Sequence, residues 1–153
     1  MIRRYDFAPL DGITKVVFLQ VYHRLFGGAD RYFIPFFSPT DQHILTKRDQ
    51  RELDPAANAG LHVVPQVMTR RAPDFLWAAK VVADMGYTEV NLNLGCPSGT
   101  VVAKGRGAGM LEDLESTGRM SRRSAQPHRH FARMPHRITC FRADEWPNLH
   151  PTN

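Results

Sequence analysis

The sequence has few features of a secreted, membrane or metal-binding protein. Its 153 residues include only two cysteines, Cys96 and Cys140, which are too few for a disulfide framework. No apolar run approaches the about 20 residues that a membrane helix needs, and residues 1–10 lack the apolar stretch of a secretory signal. The histidines and cysteines show no metal-site spacing. We therefore expect a cytoplasmic protein without a membrane segment or a bound metal.

Acidic residues are scarce in the last quarter of the chain. Residues 1–115 carry 13 basic and 13 acidic side chains. Residues 116–153 carry seven arginines against two acidic residues, which accounts for the whole net charge of +5. The basic character therefore belongs to the C-terminal segment and does not by itself indicate a nucleic-acid-binding domain.

Regular hydrophobic periodicity is expected to end near Ser116. The segment 116–153 is rich in Arg, His and Pro, and it lacks Val, Tyr and Lys. Three interpretations compete: a disordered basic tail, an RNA-binding arm, and out-of-frame translation after a frameshift. We favour the third, because the change is abrupt and falls inside a nascent helix. The sequence thus predicts a folded unit over 1–115 and an irregular tail over 116–153.

The first 115 residues alternate between predicted strands and helices, which is typical of an α/β fold with a parallel sheet. The predicted strands are Tyr5–Leu10, Arg31–Phe37, Leu61–Met68 and Glu89–Leu94. The predicted helices are Lys15–Phe26 with Thr14 as N-cap, a short one near Pro55–Ala59, Pro73–Met85, and a fourth starting at Ala108–Glu115. Functional residues in such folds gather at the C-terminal ends of strands.

The end of the fourth predicted strand carries a thiol, Cys96, between Gly95 and Pro97. A buried structural cysteine is the plain interpretation. An ordinary thiol, with a pKa of about 8.5, can also serve as a general acid, or as a nucleophile if its pKa is lowered. Asn91 and Asn93 lie two apart and share one face of the strand, which indicates either a polar pocket or a structural polar layer.

The segment from Lys104 to Gly109, KGRGAG, matches neither the Walker spacing nor the dinucleotide-binding spacing. Its glycines and two cations are compatible with phosphate binding through backbone N–H groups, and equally with a plain flexible loop. Gln66, within the third predicted strand, is structural on the residue pattern alone.

Together these stretches resemble the tRNA-dihydrouridine synthase family over roughly residues 5–115. The resemblance is carried by FAPLDGIT, ADRYFIPFFSP, VVPQVMT and, most specifically, VNLNLGCPSGTVVAKGRGAGML. Members of this family are FMN-containing (β/α)8 TIM barrels that reduce a uridine of tRNA to dihydrouridine with NADPH as reductant. The resemblance implies that this chain is the N-terminal portion of such a barrel, about four βα units.

The resemblance also implies residue roles. Cys96 would be the general acid that protonates uracil C5. The segment Ala8, Pro9, Leu10 would lie along the flavin, Gln66 would hydrogen-bond its ring, and Asn93 would line the pocket near both flavin and base. Lys104 and Arg106, together with Asn93, would lie on the tRNA side.

The later FMN contacts of the family, a lysine in the next strand and a subsequent histidine, cannot be placed in this sequence. We therefore expect a truncated copy that alone neither binds FMN tightly nor turns over. Two alternatives stay open: another flavin-dependent TIM-barrel oxidoreductase of the dihydroorotate dehydrogenase type, and a non-enzymatic basic RNA-binding fragment.

Overall fold

The computed structural model describes residues 5–125, and within them short strands alternate with helices. The strands are β1 (Asp6–Phe7), β2 (Arg31–Phe33), β3 (Val63–Val64), β4 (Gln66–Val67) and β5 (Asn91–Leu92). The helices are α1 (Val16–Leu25), α2 (Lys47–Glu52), α3 (Ala72–Asp84), α4 (Gly99–Val102), a 3-10 helix (Gly107–Glu112) and α5 (Leu114–Ala125).

All strand pairings in the described residues are parallel. The strands β1, β2 and β3 form one sheet in that order, and β4 pairs with β5 in a second. A single parallel bridge between Phe37 and Val67 joins the two groups. The successive strand segments therefore lie side by side in chain order, and their C-terminal ends share one edge. This confirms an α/β fold with parallel strands.

The predicted third strand, Leu61–Met68, is divided into β3 and β4 at Pro65. Proline has no N–H to donate, so it interrupts a ladder. Its carbonyl still accepts a hydrogen bond of 2.9 Å from the backbone N–H of Asn91. The interruption therefore lets the residues before Pro65 pair with β2 and those after it pair with β5.

Helix α3 lies close to its predicted bounds. Proline is in its first turn, where its missing N–H has no helical partner to lose. Its apolar residues recur with the 3.6-residue period of a core-facing helix. The buried members of this face are Phe75, Ala78, Ala79 and Val82. Gly86, at φ +94°, follows its C-terminus and adopts the left-handed conformation that glycine tolerates.

Helix α1 begins with a different cap from the expected one. Thr14 was predicted as N-cap, but the N-cap is Lys15, and its side chain makes no capping bond. The N–H of Val16 instead donates to the buried carboxylate of Glu52, at 2.8 Å. Thr14 Oγ1 bonds back to Leu10, accepting from its N–H at 2.8 Å. The capping group comes from a distant part of the chain, which local sequence rules do not anticipate.

Helix α2 is also displaced from its predicted place. The short helix expected near Pro55–Ala59 is a turn region, and the helix lies at Lys47–Glu52. The reason is a capping box, in which Thr46 accepts from the Asp49 backbone and Asp49 bonds back to the Thr46 backbone.

The expectation of no regular structure from Ser116 is wrong for residues 116–125. The predicted fourth helix begins as a 3-10 helix and continues after Asp113 as α5, which runs to Ala125. Asp113 Oδ1 accepts from the Ser116 N–H at 2.8 Å and so caps the new helix. Met120 is buried in the core beside α3. The rest of the predicted tail, 126–153, lies outside the described residues.

At the N-terminal ends of the strands, Arg31 is buried between two carboxylates. Its guanidinium bonds to both oxygens of Asp6 and, at 2.8 Å, to Glu89. The hydrogen bonds to Asp6 are the largest influence on the pKa of Arg31 and raise it further above its ordinary value, against the effect of burial. This cluster ties the start of β2 to β1 and to the segment that leads into β5.

Candidate functional site

A chain of side-chain amides connects β4 and β5 at the site. Gln66, which is 1% exposed, donates from Nε2 to Asn91 Oδ1 at 2.8 Å. Its other end, Oε1, accepts from Asn93 Nδ2, also at 2.8 Å. Asn91 and Asn93 therefore do share a face, as their spacing predicts, and one glutamine from the neighbouring strand fixes both.

Asn93 also binds the turn that carries the thiol. Its Oδ1 accepts from the backbone N–H of Gly95 at 3.1 Å and from that of Cys96 at 2.9 Å. An asparagine that bonds to the backbone two and three residues on is typical of a side-chain-stabilised turn. Cys96 is half-buried and forms no disulfide, so the turn places a free thiol just beyond β5.

The glycine segment closes over this turn from the other side. Gly107 has φ +55°, and a β-carbon there would lie 2.7 Å from the Cys96 carbonyl oxygen. A β-carbon on Gly109 would lie 2.8 Å from the Val102 carbonyl oxygen. The N–H of Ala108 donates to the Cys96 oxygen at 3.0 Å. These glycines are required by close backbone packing, and they hold the Cys96 turn in place.

The backbone of the segment's tip is not available for phosphate. The N–H groups of Lys104, Gly105 and Arg106 donate to the carbonyls of Val101 or Val102, at distances of 2.7–3.2 Å. A backbone anion nest needs free N–H groups, so the phosphate-cradle interpretation of this loop is wrong at these three positions. The side chains of Lys104, which is exposed, and Arg106, which is half-buried, are what the loop offers to a ligand.

The residues predicted to contact a flavin differ in accessibility. Ala8 and Leu10 are exposed and Pro9 is half-buried, just beyond β1 at the shared strand edge. Asn93 is half-buried, whereas the amide of Gln66 is buried with one hydrogen bond at each end. A glutamine amide has a second N–H and a second lone pair. Contacts of these residues with a flavin stay predictions.

Two features of this edge were missed from the sequence. The sequence predicts only that Asn91 shares a face with Asn93, whereas in the structure Asn91 Oδ1 accepts the hydrogen bond from Gln66 at one end of the amide chain. Arg70, three residues beyond β4, packs against Gly105. The sequence does indicate Arg70 by its position, because Arg70 follows the C-terminal end of a predicted strand, where functional residues gather. Within residues 5–125 no group of three or more His, Cys, Asp or Glu could hold a metal, and no helix is long and apolar enough to cross a membrane.

The comparison with protein families matches this chain to "Dihydrouridine synthase (Dus)" over residues 6–134. The chain belongs to the dihydrouridine synthase family, an enzyme family of oxidoreductases. The resemblance drawn from the motifs is thereby confirmed, and the match continues past residue 115.

Three curated relatives agree with this. The probable tRNA-dihydrouridine synthase 1 of Synechocystis sp. is 30% identical over 105 residues, covering 68% of this chain and 28% of the relative. The probable tRNA-dihydrouridine synthase of Rhodobacter capsulatus is 29% identical, covering 74% and 34%. The tRNA-dihydrouridine(20/20a) synthase of Pasteurella multocida is 33% identical, covering 64% and 28%. The chain thus spans about a third or less of the length of these relatives.

Proposed function

We propose that residues 5–125 form the part of a tRNA-dihydrouridine synthase that holds the catalytic acid. The reaction is the reduction of a uridine in tRNA to 5,6-dihydrouridine, with FMN as cofactor and NADPH as its reductant, in the cytoplasm. The observation that carries the proposal is the chain of hydrogen bonds from Gln66 through Asn93 to the Cys96 backbone. It fixes the backbone of the residue that carries the thiol, beside a polar side chain and at the C-terminal ends of the strands, where barrel enzymes place their sites.

In this proposal Cys96 is the proton donor. FMN, when bound and reduced, supplies the hydride that enters uracil at C6. The Cys96 thiol gives its proton to C5, so that the C5–C6 double bond is saturated, and the resulting thiolate regains a proton from water. Asn93, which accepts two hydrogen bonds from the turn through its Oδ1, holds the thiol-bearing residue at a fixed position relative to its own side chain. A fixed position is required because proton transfer works only within hydrogen-bonding reach.

The residues that would hold the cofactor are Ala8, Pro9 and Leu10 beyond β1, with Asn93 and, through its remaining amide N–H, Gln66. The uridine has to leave its stack so that its C5 can approach the thiol. Lys104 and Arg106 would then lie beside the RNA backbone. RNA binding through phosphates and overall shape agrees with the side-chain cations of this loop.

The wider barrel is part of the proposal. Among the described residues, β1 and β5 each have a strand on one side only. Helix α1 exposes the apolar side chains of Val17 (72%) and Leu25 (64%), and Phe26, which follows the helix, is 73% exposed. Open strand edges and an uncovered apolar helix face are what a larger parallel barrel covers. Both features support the proposal that this unit forms about four βα units of a (β/α)8 barrel.

The second candidate function is a flavin barrel of the dihydroorotate dehydrogenase type. The Asn-bearing strand followed by Gly-Cys-Pro is compatible with both. The family match and the three relatives favour the tRNA reaction. The third candidate, a basic RNA-binding fragment, rests on residues 116–153 and makes no use of the amide chain or the thiol.

A chimeric enzyme tests the proposal. In the Pasteurella multocida synthase, the residues that match this chain over 99 positions are replaced by this chain's own. The chimera is expected to form dihydrouridine in tRNA from a strain without the modification, and to leave dihydroorotate unchanged. A chimera that binds flavin normally but acts on dihydroorotate, or on neither substrate, would contradict the proposal.

A further inference from the structure

We propose that Arg70 joins Lys104 and Arg106 in a surface that binds the phosphodiester backbone of RNA next to the Cys96 turn. This inference rests on the proposed function and extends it, because Arg70 follows β4, whereas the thiol follows β5, and Arg70 has no role in the proposed reaction. These three residues are called the cationic rim below.

The geometry brings the three cations together from two strand ends. Arg70 follows β4, and its guanidinium lies over the tip of the loop that follows β5. A β-carbon built on Gly105 would be 3.2 Å from Arg70 Nη1 and 3.6 Å from its Cδ. Gly105 separates Lys104 from Arg106, and its φ of +60° turns the chain sharply there. Arg70 is therefore a direct neighbour of the residue between the other two cations.

The cationic rim is not neutralised by the described part of the protein. Within residues 5–125 none of its members forms an ion pair, whereas the adjacent Arg71 approaches Asp74 at 3.8 Å and Asp41 at 4.0 Å. Arg70 and Lys104 are exposed and Arg106 is half-buried. Clustered like charges repel one another in the free protein, and an anionic ligand removes that repulsion.

The groups of the loop that remain available for binding indicate which kind of anion the cationic rim binds. The backbone N–H groups of residues 104–106 all donate within the chain, so a cradle for a single buried phosphate is absent at this tip. What remains is three side chains on an open surface, drawn from two loops. Such a set suits successive phosphates along a strand, which are read by long basic side chains rather than by a fixed nest.

The cationic rim is also fixed with respect to the thiol. The tip is closed by its bonds to Val101 and Val102, and Gly107 and Ala108 anchor it to the Cys96 carbonyl. Phosphates held here would lie at a set offset from Cys96. Base-flipping enzymes likewise position the nucleic acid through its phosphate backbone and carry out chemistry on a base that has left the stack.

The test is the salt dependence of tRNA binding by the full chain. Removing one phosphate contact is expected to lower the slope of log affinity against log salt by about one. Arg70→Gln should show that loss and weaker binding, while Arg70→Lys, which keeps the charge, should retain the slope. The matched control is Arg24→Gln, an exposed arginine in the last turn of α1, at the opposite end of the strands. The arginines of 116–153 contribute equally in all variants.

Two results would overturn the inference. One is an equal effect of Arg70→Gln and Arg24→Gln, which would mean that RNA senses only total charge. The other is an Arg70 dependence of NADPH, FMN or inorganic phosphate binding without one for tRNA, which would assign the surface to a nucleotide phosphate. Unchanged thermal unfolding of each variant controls for misfolding. Because binding needs no turnover, failure here is distinguishable from failure of the chimera to make dihydrouridine.

Discussion

Asn93 donates a hydrogen bond of 2.8 Å to Gln66, so a buried side chain of one strand sets the position of a side chain on the next. The same asparagine accepts from the Cys96 backbone N–H at 2.9 Å. The backbone of Cys96 is therefore linked to the core through two hydrogen bonds. We expect that a substitution of Gln66 changes the position of Cys96.

Replacing Gln66 should destabilise the chain strongly. Gln66→Leu keeps most of the volume but removes the acceptor for Asn93 and the donor to Asn91, whose side chain is buried. We expect a loss of about 2–4 kcal/mol in the free energy of unfolding, measured by urea titration. Gln20→Leu is the control, since Gln20 is half-buried and donates to the Ala57 and Ala59 carbonyls.

For the Gln20 variant, water can replace the lost bonds, and we expect a loss of at most about 1 kcal/mol. Equal losses for the two glutamine variants would mean that the amide chain adds nothing to stability beyond an ordinary surface hydrogen bond.

Replacing Gly107 tests the packing of the glycine segment on the thiol turn. Gly107→Ala places a methyl group 2.7 Å from the Cys96 carbonyl oxygen. Gly12→Ala is the matched control, because Gly12 also has positive φ, +82°, but nothing lies within 4 Å of the added carbon. Both variants bear the left-handed cost of about 1–2 kcal/mol. The Gly107 variant should lose about 1–3 kcal/mol more from overpacking.

The same pair of variants should differ in thiol chemistry. With Cys140 replaced by Ser in both backgrounds, the rate of Cys96 alkylation by iodoacetamide reports the position of the turn. We expect the rate to change in Gly107→Ala and to stay at its starting value in Gly12→Ala. An unchanged rate in both would show that the glycine segment does not fix the thiol.

Much of this arrangement could be predicted from the sequence where local rules decide it. The alternation of elements, the bounds of α3 and the shared face of Asn91 and Asn93 follow from periodicity and spacing. The role of Gln66 could not be predicted, because its partners are set by the pairing of β4 with β5. The need for glycine at 107 likewise comes from a carbonyl eleven residues away in the chain.

The errors have physical causes of the same kind. Helix α1 is capped by Glu52, which no local cap rule identifies. Helix α2 was missed although the Thr46 and Asp49 capping box was visible in the sequence. The sequence predicts no regular structure from Ser116 because no hydrophobic period is evident there, but Asp113 caps the start of α5 and Met120 is buried in the core.

Flavin binding by this chain alone should be weak. The strands β1 and β5 have open outer edges in the described residues, and the face of α1 is uncovered, so half of the proposed barrel's walls would be missing. We expect the purified chain to show no stoichiometric visible flavin absorbance after incubation with FMN and dialysis. The chimera described above should retain it. A yellow, one-to-one complex of the chain alone would contradict this expectation.

Protonation of the uridine by Cys96 is tested most sharply by the single-turnover rate of dihydrouridine formation, compared between the chimera with Cys96 and the chimera with Cys96→Ala. The measured product is dihydrouridine in tRNA, quantified by mass spectrometry, with flavin content held equal. Loss of a positioned general acid predicts a rate lower by roughly 100-fold or more. An alanine variant that carries its flavin and reduces tRNA at the rate of the parent chimera would contradict the account.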